Sequence, residues 1–326
     1  MRILRTPPLV PDPPPARHRP PTARRAAVRV VTLTTILGLT LGTAACAPGG
    51  RGPDDPTCPN GKIAFGVEPF ESPDTLEPAY RAIAADLGRA LDYEVEVQVV
   101  DDYSAEVLAM RNGSLTLGQF GPLGYVFADR VARAEPVVSF GDADGVLSTY
   151  TAGIWVAADS PIRTVADLRG RQLALGSVGS TSGDALPRMA VSEAGLREDD
   201  LRMDYAGGHP EALLALTNGA VDAAEINSQT LATATADGTF RPGDFRQIWI
   251  SGPVPNDPVT VAGDAPAELK ENLRRALTSL SPETISEVAR LLDVDPPGPL
   301  VPVTKDDYTS LFRLADELHM TPEDIS

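Results

Sequence analysis

Three hydroxyl side chains, Ser180, Thr181 and Ser182, stand in a row within GSVGSTSGDALPRMAVSEAG (residues 176–195), where a short apolar strand gives way to a helix. Ser and Thr at such a place cap the first turn by accepting its unpaired N–H groups. The same N–H groups, at the positive end of the helix dipole, can instead hold a phosphate-like anion. The stretch by itself is compatible with both. Catalytic chemistry is poorly provided for. The histidines are His18, His209 and His319, the cysteines are Cys46 and Cys58, and no G-x-S-x-G, H-E-x-x-H or P-loop pattern occurs. No metal site, no cofactor and no enzymatic activity are expected from that inventory.

The elements that would carry those hydroxyls alternate strand and helix. KIAFGV precedes a helix whose Leu76, Tyr80, Ile83, Leu87 and Leu91 keep one face, and YEVEVQVV alternates Val95, Val97 and Val99 as a half-buried strand does. SAEVLAMRNG ends on a helix-stop Asn-Gly, LTLGQF is a further strand, and GPLGYVFADRVA opens a helix with Pro122 in its first turn. After PVVSF and YTAGIWVAA the order restarts with RQLALGS, the Ser180 helix, ALLALTNG, VDAAEIN and FRQIWI; helices close the chain. Two successive α/β sets predict two parallel-sheet lobes with a cleft between them. Ligands of such sheets lie beyond the carboxyl ends of strands, against helix N-termini. Residues 180–183 fall in such a place, which favours the anion reading.

The N-terminus addresses the chain to a membrane. Residues 1–29 hold seven arginines and one acidic residue, Asp12, and the apolar run VVTLTTILGLTLGTAAC then ends on small residues and Cys46. Basic, apolar and small-residue segments in that order make a secretory signal over residues 1–45, too short for a stable membrane span. TAAC resembles a lipobox with Thr43 at its usually aliphatic position, so Cys46 is the expected lipidation site and translation is expected to begin near Val28. Residues 46–61, rich in Gly, Pro and Asp, read as a flexible tether that includes Cys58. Without residues 1–45, 21 basic and 44 acidic side chains remain, a net charge of −23. That excludes nucleic acid and an anionic membrane surface as natural partners.

Four stretches carry a resemblance: GSTSG after its strand, FGPLGY (120–125), GGHPEALLALTNGAVDAAEIN (207–227) and PVPNDPV (253–259). Together they resemble, in order and spacing, the phosphate/phosphite/phosphonate-binding proteins of ABC importers. The resemblance implies an α/β, two-lobed periplasmic-binding-protein type II fold. Lobe 1 would span residues 62–155 and lobe 2 residues 156–257, with residues 258–326 returning to lobe 1 and crossings near residues 155 and 258. It further implies that Ser180, Thr181 and Ser182 hold an oxyanion, joined by His209, Tyr103, Tyr150 and Asp257, with Tyr125 and Glu71 as structural residues. Relatives that bind an aminoalkyl phosphonate place a carboxylate where this chain has Gln229, which points to phosphate, phosphite or a smaller phosphonate. Asp184 is a second departure, and its carboxylate is expected to point away from an anion. The implied protein is a monomeric, lipid-anchored, extracytoplasmic solute-binding protein serving a permease and an ATPase. A binder of sulfonate, nitrate or a thiamine-like solute, and a sensing lipoprotein, are the alternatives.

Overall fold

The structure, a computed structural model, describes Cys58 and residues 61–325. The signal segment, Cys46 and most of the tether lie outside the described residues. In chain order the first lobe begins with β1 (Lys62–Val67), α1 (Pro73–Leu91), β2 (Glu94–Val99), α2 (Tyr103–Arg111), β3 (Leu117–Gln119), α3 (Pro122–Ala132) and β4 (Glu135–Phe140). After the short β5 (Thr149–Tyr150), the second lobe holds β6 (Gly153–Ala157), β7 (Gln172–Leu175), α4 (Leu186–Glu193) and β8 (Arg202–Tyr205). It continues with α5 (His209–Thr217), β9 (Ala223–Glu225), α6 (Ser228–Ala236) and β10 (Phe245–Ile250). The chain returns through β11 (Val254–Pro255) and β12 (Val259–Val261), then adds α7 (Ala267–Thr278), α8 (Pro282–Leu291), β13 (Leu300–Pro302) and α9 (Thr309–Glu317).

The first sheet has the order β13-β4-β12-β3-β1-β2, and the second β10-β6-β9-β7-β8. Each has a parallel centre: β1 pairs parallel with β2 and β3, and β7 with β8 and β9. The sheets are nevertheless mixed, which corrects the parallel expectation. β12 runs antiparallel to β3 and β4, and β6 antiparallel to β9 and β10. The strands that carry the chain between lobes enter each sheet head-on to its βαβ strands, so they cannot share their direction. A separate two-stranded ladder, β5 with β11, pairs Tyr150 with Val254. The expected boundary at residues 155/156 therefore falls inside β6, already part of the second sheet. β8 escaped the sequence pattern because its RMDY segment is a mostly polar edge strand with no residue of it buried.

Apolar faces close the layers. Leu76, Tyr80, Ile83, Leu87 and Leu91 of α1 are all buried, against a core that also takes Leu273 of α7 and Val288 of α8. Each such side chain contributes about 1.5–3 kcal/mol of transfer free energy. On the other face of the sheet, Phe120, Leu123, Tyr125 and Tyr308 form a cluster that continues through Tyr150 and Val254 to Ala185 and Leu186. That apolar seam, beside the β5–β11 ladder, sets where the two lobes meet.

Candidate functional site

The loop after β7 and the turn before α4 bring Ser180, Thr181 and Ser182 to the seam between the lobes. Ser180 is the cap: its Oγ accepts the Gly183 N–H at 3.1 Å. Residues Thr181–Ala185 form a single π-helical turn ahead of α4. The other two hydroxyls do not cap. Thr181 Oγ1 accepts the Leu123 N–H of the first lobe at 2.9 Å, and Ser182 Oγ accepts from Asn227 Nδ2 at 3.1 Å. Asp184, wholly buried, turns away as expected: its carboxylate accepts the Gly179 N–H at 3.0 Å and the Tyr205 hydroxyl at 2.8 Å.

Behind that turn stands His209, the first residue of α5. Its Nε2 lies 3.3 Å from Ser180 Oγ, and its Nδ1 2.7 Å from Glu225 Oε1. Two glycines make the approach possible. A Cβ on Gly176 would lie 2.7 Å from Glu225 Oε1, and one on Gly183 2.9 Å from His209 Cε1. Burial pushes the imidazole pKa down, but the Glu225 charge and hydrogen bond outweigh it, with Glu71 and Asp257 adding, and the net shift is upward. Burial raises the Glu225 carboxyl in turn, with the His209 charge and hydrogen bond opposing it, and Nε2 is the imidazole nitrogen turned toward Ser180. Ser180, His209 and Glu225 stand in the order of a nucleophilic triad, and the upward shift of the imidazole favours its donating to Ser180 over taking its proton.

The opposite wall belongs to the first lobe. Glu68 follows β1, Gly121 precedes α3, Tyr103 opens α2, and Asp257 lies between β11 and β12. Burial pushes Asp257 up to about 7, eased by the Gln119 side chain, whose Nε2 sits 3.5 Å from Oδ2, and by the His209 charge. Glu68 is pushed well above the carboxylate range by burial and then by Asp257, against the Gly121 N–H that bonds it. Just behind, Glu106 is fully buried with neither carboxyl oxygen partnered, and burial plus the Glu68 and Asp257 charges drive it up. The Tyr103 and Tyr150 phenols, raised by burial and these carboxyls, stay protonated. Ser180 eases the rise at Tyr103, and Ser182 and Thr181 ease it at Tyr150, which sets both phenols beside the hydroxyl loop.

The cavity so enclosed is small, about 10 Å3, room for about one water molecule. Tyr103, Tyr150, Ser180, Thr181, Ser182, His209 and Asp257, singled out from the sequence, all line it. Tyr125 and Glu71 do not: Tyr125 packs on Tyr308 at 5.3 Å, and Glu71 acts on His209 only through its charge. Gln229 lines the cavity and also ties the lobes, donating to Asn256 Oδ1 at 2.6 Å. Sequence reasoning missed Glu68, Asn227 and Glu225. Glu68 sits at the carboxyl end of a parallel strand, where ligands collect. Glu225 interrupts the apolar alternation of VDAAEIN, a signal that a buried acid has a partner. Cys58 lies far from this chemistry, its thiol donating to the Lys62 carbonyl at 3.4 Å.

Comparison with known proteins agrees with this layout. The profile of the family described as the periplasmic substrate-binding protein of the phosphonate ABC transporter matches residues 65–308. The phosphate-import protein PhnD of Mycolicibacterium smegmatis is 27% identical over 274 residues, covering 78% of this chain and 85% of that one. The phosphonates-binding periplasmic protein of Escherichia coli is 26% identical over 202 residues, 60% of each chain. The solved structure of PhnD1 from Prochlorococcus marinus in complex with methylphosphonate matches with a TM-score of 0.70 at 18% identity, covering 79% of this chain and 98% of that one. The fold is the two-lobed type II periplasmic-binding-protein fold.

Proposed function

The chain belongs to the periplasmic substrate-binding proteins of phosphonate ABC transporters, and on that footing we infer that it captures a small phosphorus oxyanion, phosphate, phosphite or a short phosphonate, for an ABC importer. The observation that carries the reading is the buried donor set gathered around the start of the Thr181–Glu193 helical run: three hydroxyls, the Tyr103 and Tyr150 phenols from other elements, and an imidazole whose pKa Glu225 raises. An anion there needs no Arg or Lys, and none is found among the described residues that line the cavity. Charge-assisted hydrogen bonds are about twice as strong as neutral ones, and a buried site keeps that strength. The acidic surface slows the encounter only within a Debye length of roughly 8 Å at physiological salt. The names of the M. smegmatis and E. coli relatives, phosphate import and phosphonates binding, support the same ligand class.

In this reading the lobes open and close about the β5–β11 ladder, and the Leu123–Thr181 and Gln229–Asn256 bonds form on closure. The protein works as a monomer outside the cytoplasm, tethered by a lipid on Cys46, and hands its ligand to a permease driven by an ATPase. Cys46→Ser releases it from the membrane fraction; a variant that stays bound there refutes the anchor. Titration calorimetry with phosphate, phosphite, methylphosphonate and sulfate tests the ligand class. Saturable one-to-one binding of at least one phosphorus oxyanion is the expected result, and binding of none refutes the reading.

A further inference from the structure

The two segments that carry the second-lobe donors leave the sheet side by side. β7 and β8 pair in parallel up to Leu175 and Tyr205, and beyond that pair one strand enters the hydroxyl loop and the other the turn to His209. Both segments are rich in glycine, with Gly176, Gly179 and Gly183 in the first and Gly207 and Gly208 in the second, so their backbones have little stiffness of their own. Asp184 spans the two. Its Oδ2 accepts the N–H of Gly179, the neighbour of Ser180, at 3.0 Å, and its Oδ1 accepts the hydroxyl of Tyr205, the last residue of β8, at 2.8 Å. Arg188, one turn along, lies 3.7 Å from Oδ1. The carboxyl is wholly buried and does not line the cavity. A carboxylate close behind an anion site repels the ligand through space, so its place there calls for another reason.

We propose that Asp184 is a positioning residue that staples the hydroxyl loop to the His209 turn and so sets the spacing of Ser180 and His209 to which an anion binds. This rests on reading the cavity as a phosphorus-oxyanion site. The tie to Gly179 fixes the backbone one residue before Ser180, and the tie to Tyr205 fixes it four residues before His209. With Gly183 N–H taken by Ser180 Oγ and Gly179 N–H by Asp184, the Thr181 and Ser182 N–H groups are left without an acceptor among the described residues. A staple and a bare charge predict opposite signs. If Asp184 acted only as a first-turn acid, removing it would relieve repulsion and tighten anion binding. If it acts as a staple, removing it loosens two loops at once and weakens binding. Asparagine separates the two cases, because its carbonyl oxygen can accept the Gly179 N–H while its amide donates to the Tyr205 oxygen. It keeps the staple and drops the charge; alanine drops both.

Titration calorimetry with phosphate at pH 7.5 on the purified full-length protein compares wild type with three variants. Asp184→Ala should bind about tenfold more weakly, Asp184→Asn within about threefold of wild type, and Tyr205→Phe, which cuts one arm of the staple, between them. Tighter binding by Asp184→Ala overturns the proposal, as do equal losses in the alanine and asparagine variants. Amide hydrogen exchange in the ligand-free proteins gives a second readout. Residues 177–183 and 206–209 should exchange at least tenfold faster in Asp184→Ala and at the wild-type rate in Asp184→Asn, with β1 unchanged in both; loops that exchange as in wild type in Asp184→Ala overturn the proposal. Should Asp184→Ala fail to fold by circular dichroism, Tyr205→Phe decides, because that phenol is partly exposed. It must weaken phosphate binding and speed exchange in both loops, and wild-type behaviour in both measurements overturns the proposal. Binding of no phosphorus oxyanion by wild type would instead refute the site reading, and the exchange result would still decide whether Asp184 holds the loops.

Discussion

Across one small cavity, the second lobe offers hydroxyls, the Asn227 amide and an imidazole whose pKa Glu225 raises, while the first lobe offers Glu68 and Asp257 with Glu106 behind them. Both walls are buried to a similar degree, so the difference is one of charge and not of access. In the proposed function the donor wall is what would let a chain of net charge −17 hold an anion with no Arg or Lys among the described residues lining the cavity. The two lobes thus contribute unlike groups to one cavity, with the Tyr103 phenol as the first lobe's donor.

The largest way to break the comparison is on the donor side. His209→Ala removes the positive end of the His209–Glu225 pair, and a lost charged hydrogen bond of about 1.5–3 kcal/mol corresponds to a phosphate affinity lower by roughly 10- to 150-fold. Glu225→Gln keeps the imidazole but removes the charge that holds it protonated, and burial then lowers its pKa. Phosphate binding should weaken about tenfold at pH 7.5 and recover toward pH 5.5, which a pH series of titrations checks.

On the acceptor side the expected effect is on stability. The folded protein keeps the Asp257 proton up to about pH 7, whereas the unfolded chain loses it in the ordinary carboxylate range. The unfolded state therefore binds fewer protons over that interval, and this group's contribution to stability falls as pH rises through it. Asp257→Asn removes the penalty. In the absence of ligand its melting temperature should exceed wild type by a few degrees at pH 8 and by less at pH 5. The smallest effect belongs to the tie between walls: Gln229→Ala loses the bond to Asn256 and should weaken phosphate binding about threefold.

The element order of the fold was legible because strand and helix periods change cleanly along the chain, and α1 buries the face that its spacing marks. Strand direction was not legible, since β6 and β12 read like any apolar strand and only their place after the ladder reverses them. On the donor wall, small residues and a helix start announce residues 180–182. The acceptor wall was half hidden. Asp257 stands in a recognisable PNDP turn, but Glu68 in GVEPF looks like an exposed acid at a strand end. Its burial comes from the glycine notch at residue 121, 53 positions away, and only the packed sheet brings the two together.

The most direct test of the two-wall account is a calorimetric titration of wild type and Asp257→Asn with phosphate and with sulfate at pH 8, above the range in which Asp257 keeps its proton. Wild type should bind phosphate and reject sulfate by at least 100-fold, because Asp257 accepts a P–OH bond that sulfate cannot offer. In Asp257→Asn the amide can donate where the carboxylate could not, so phosphate should weaken, sulfate should gain, and the gap should narrow at least tenfold. A variant that rejects sulfate as strongly as wild type does would make Asp257 a turn residue and contradict the account.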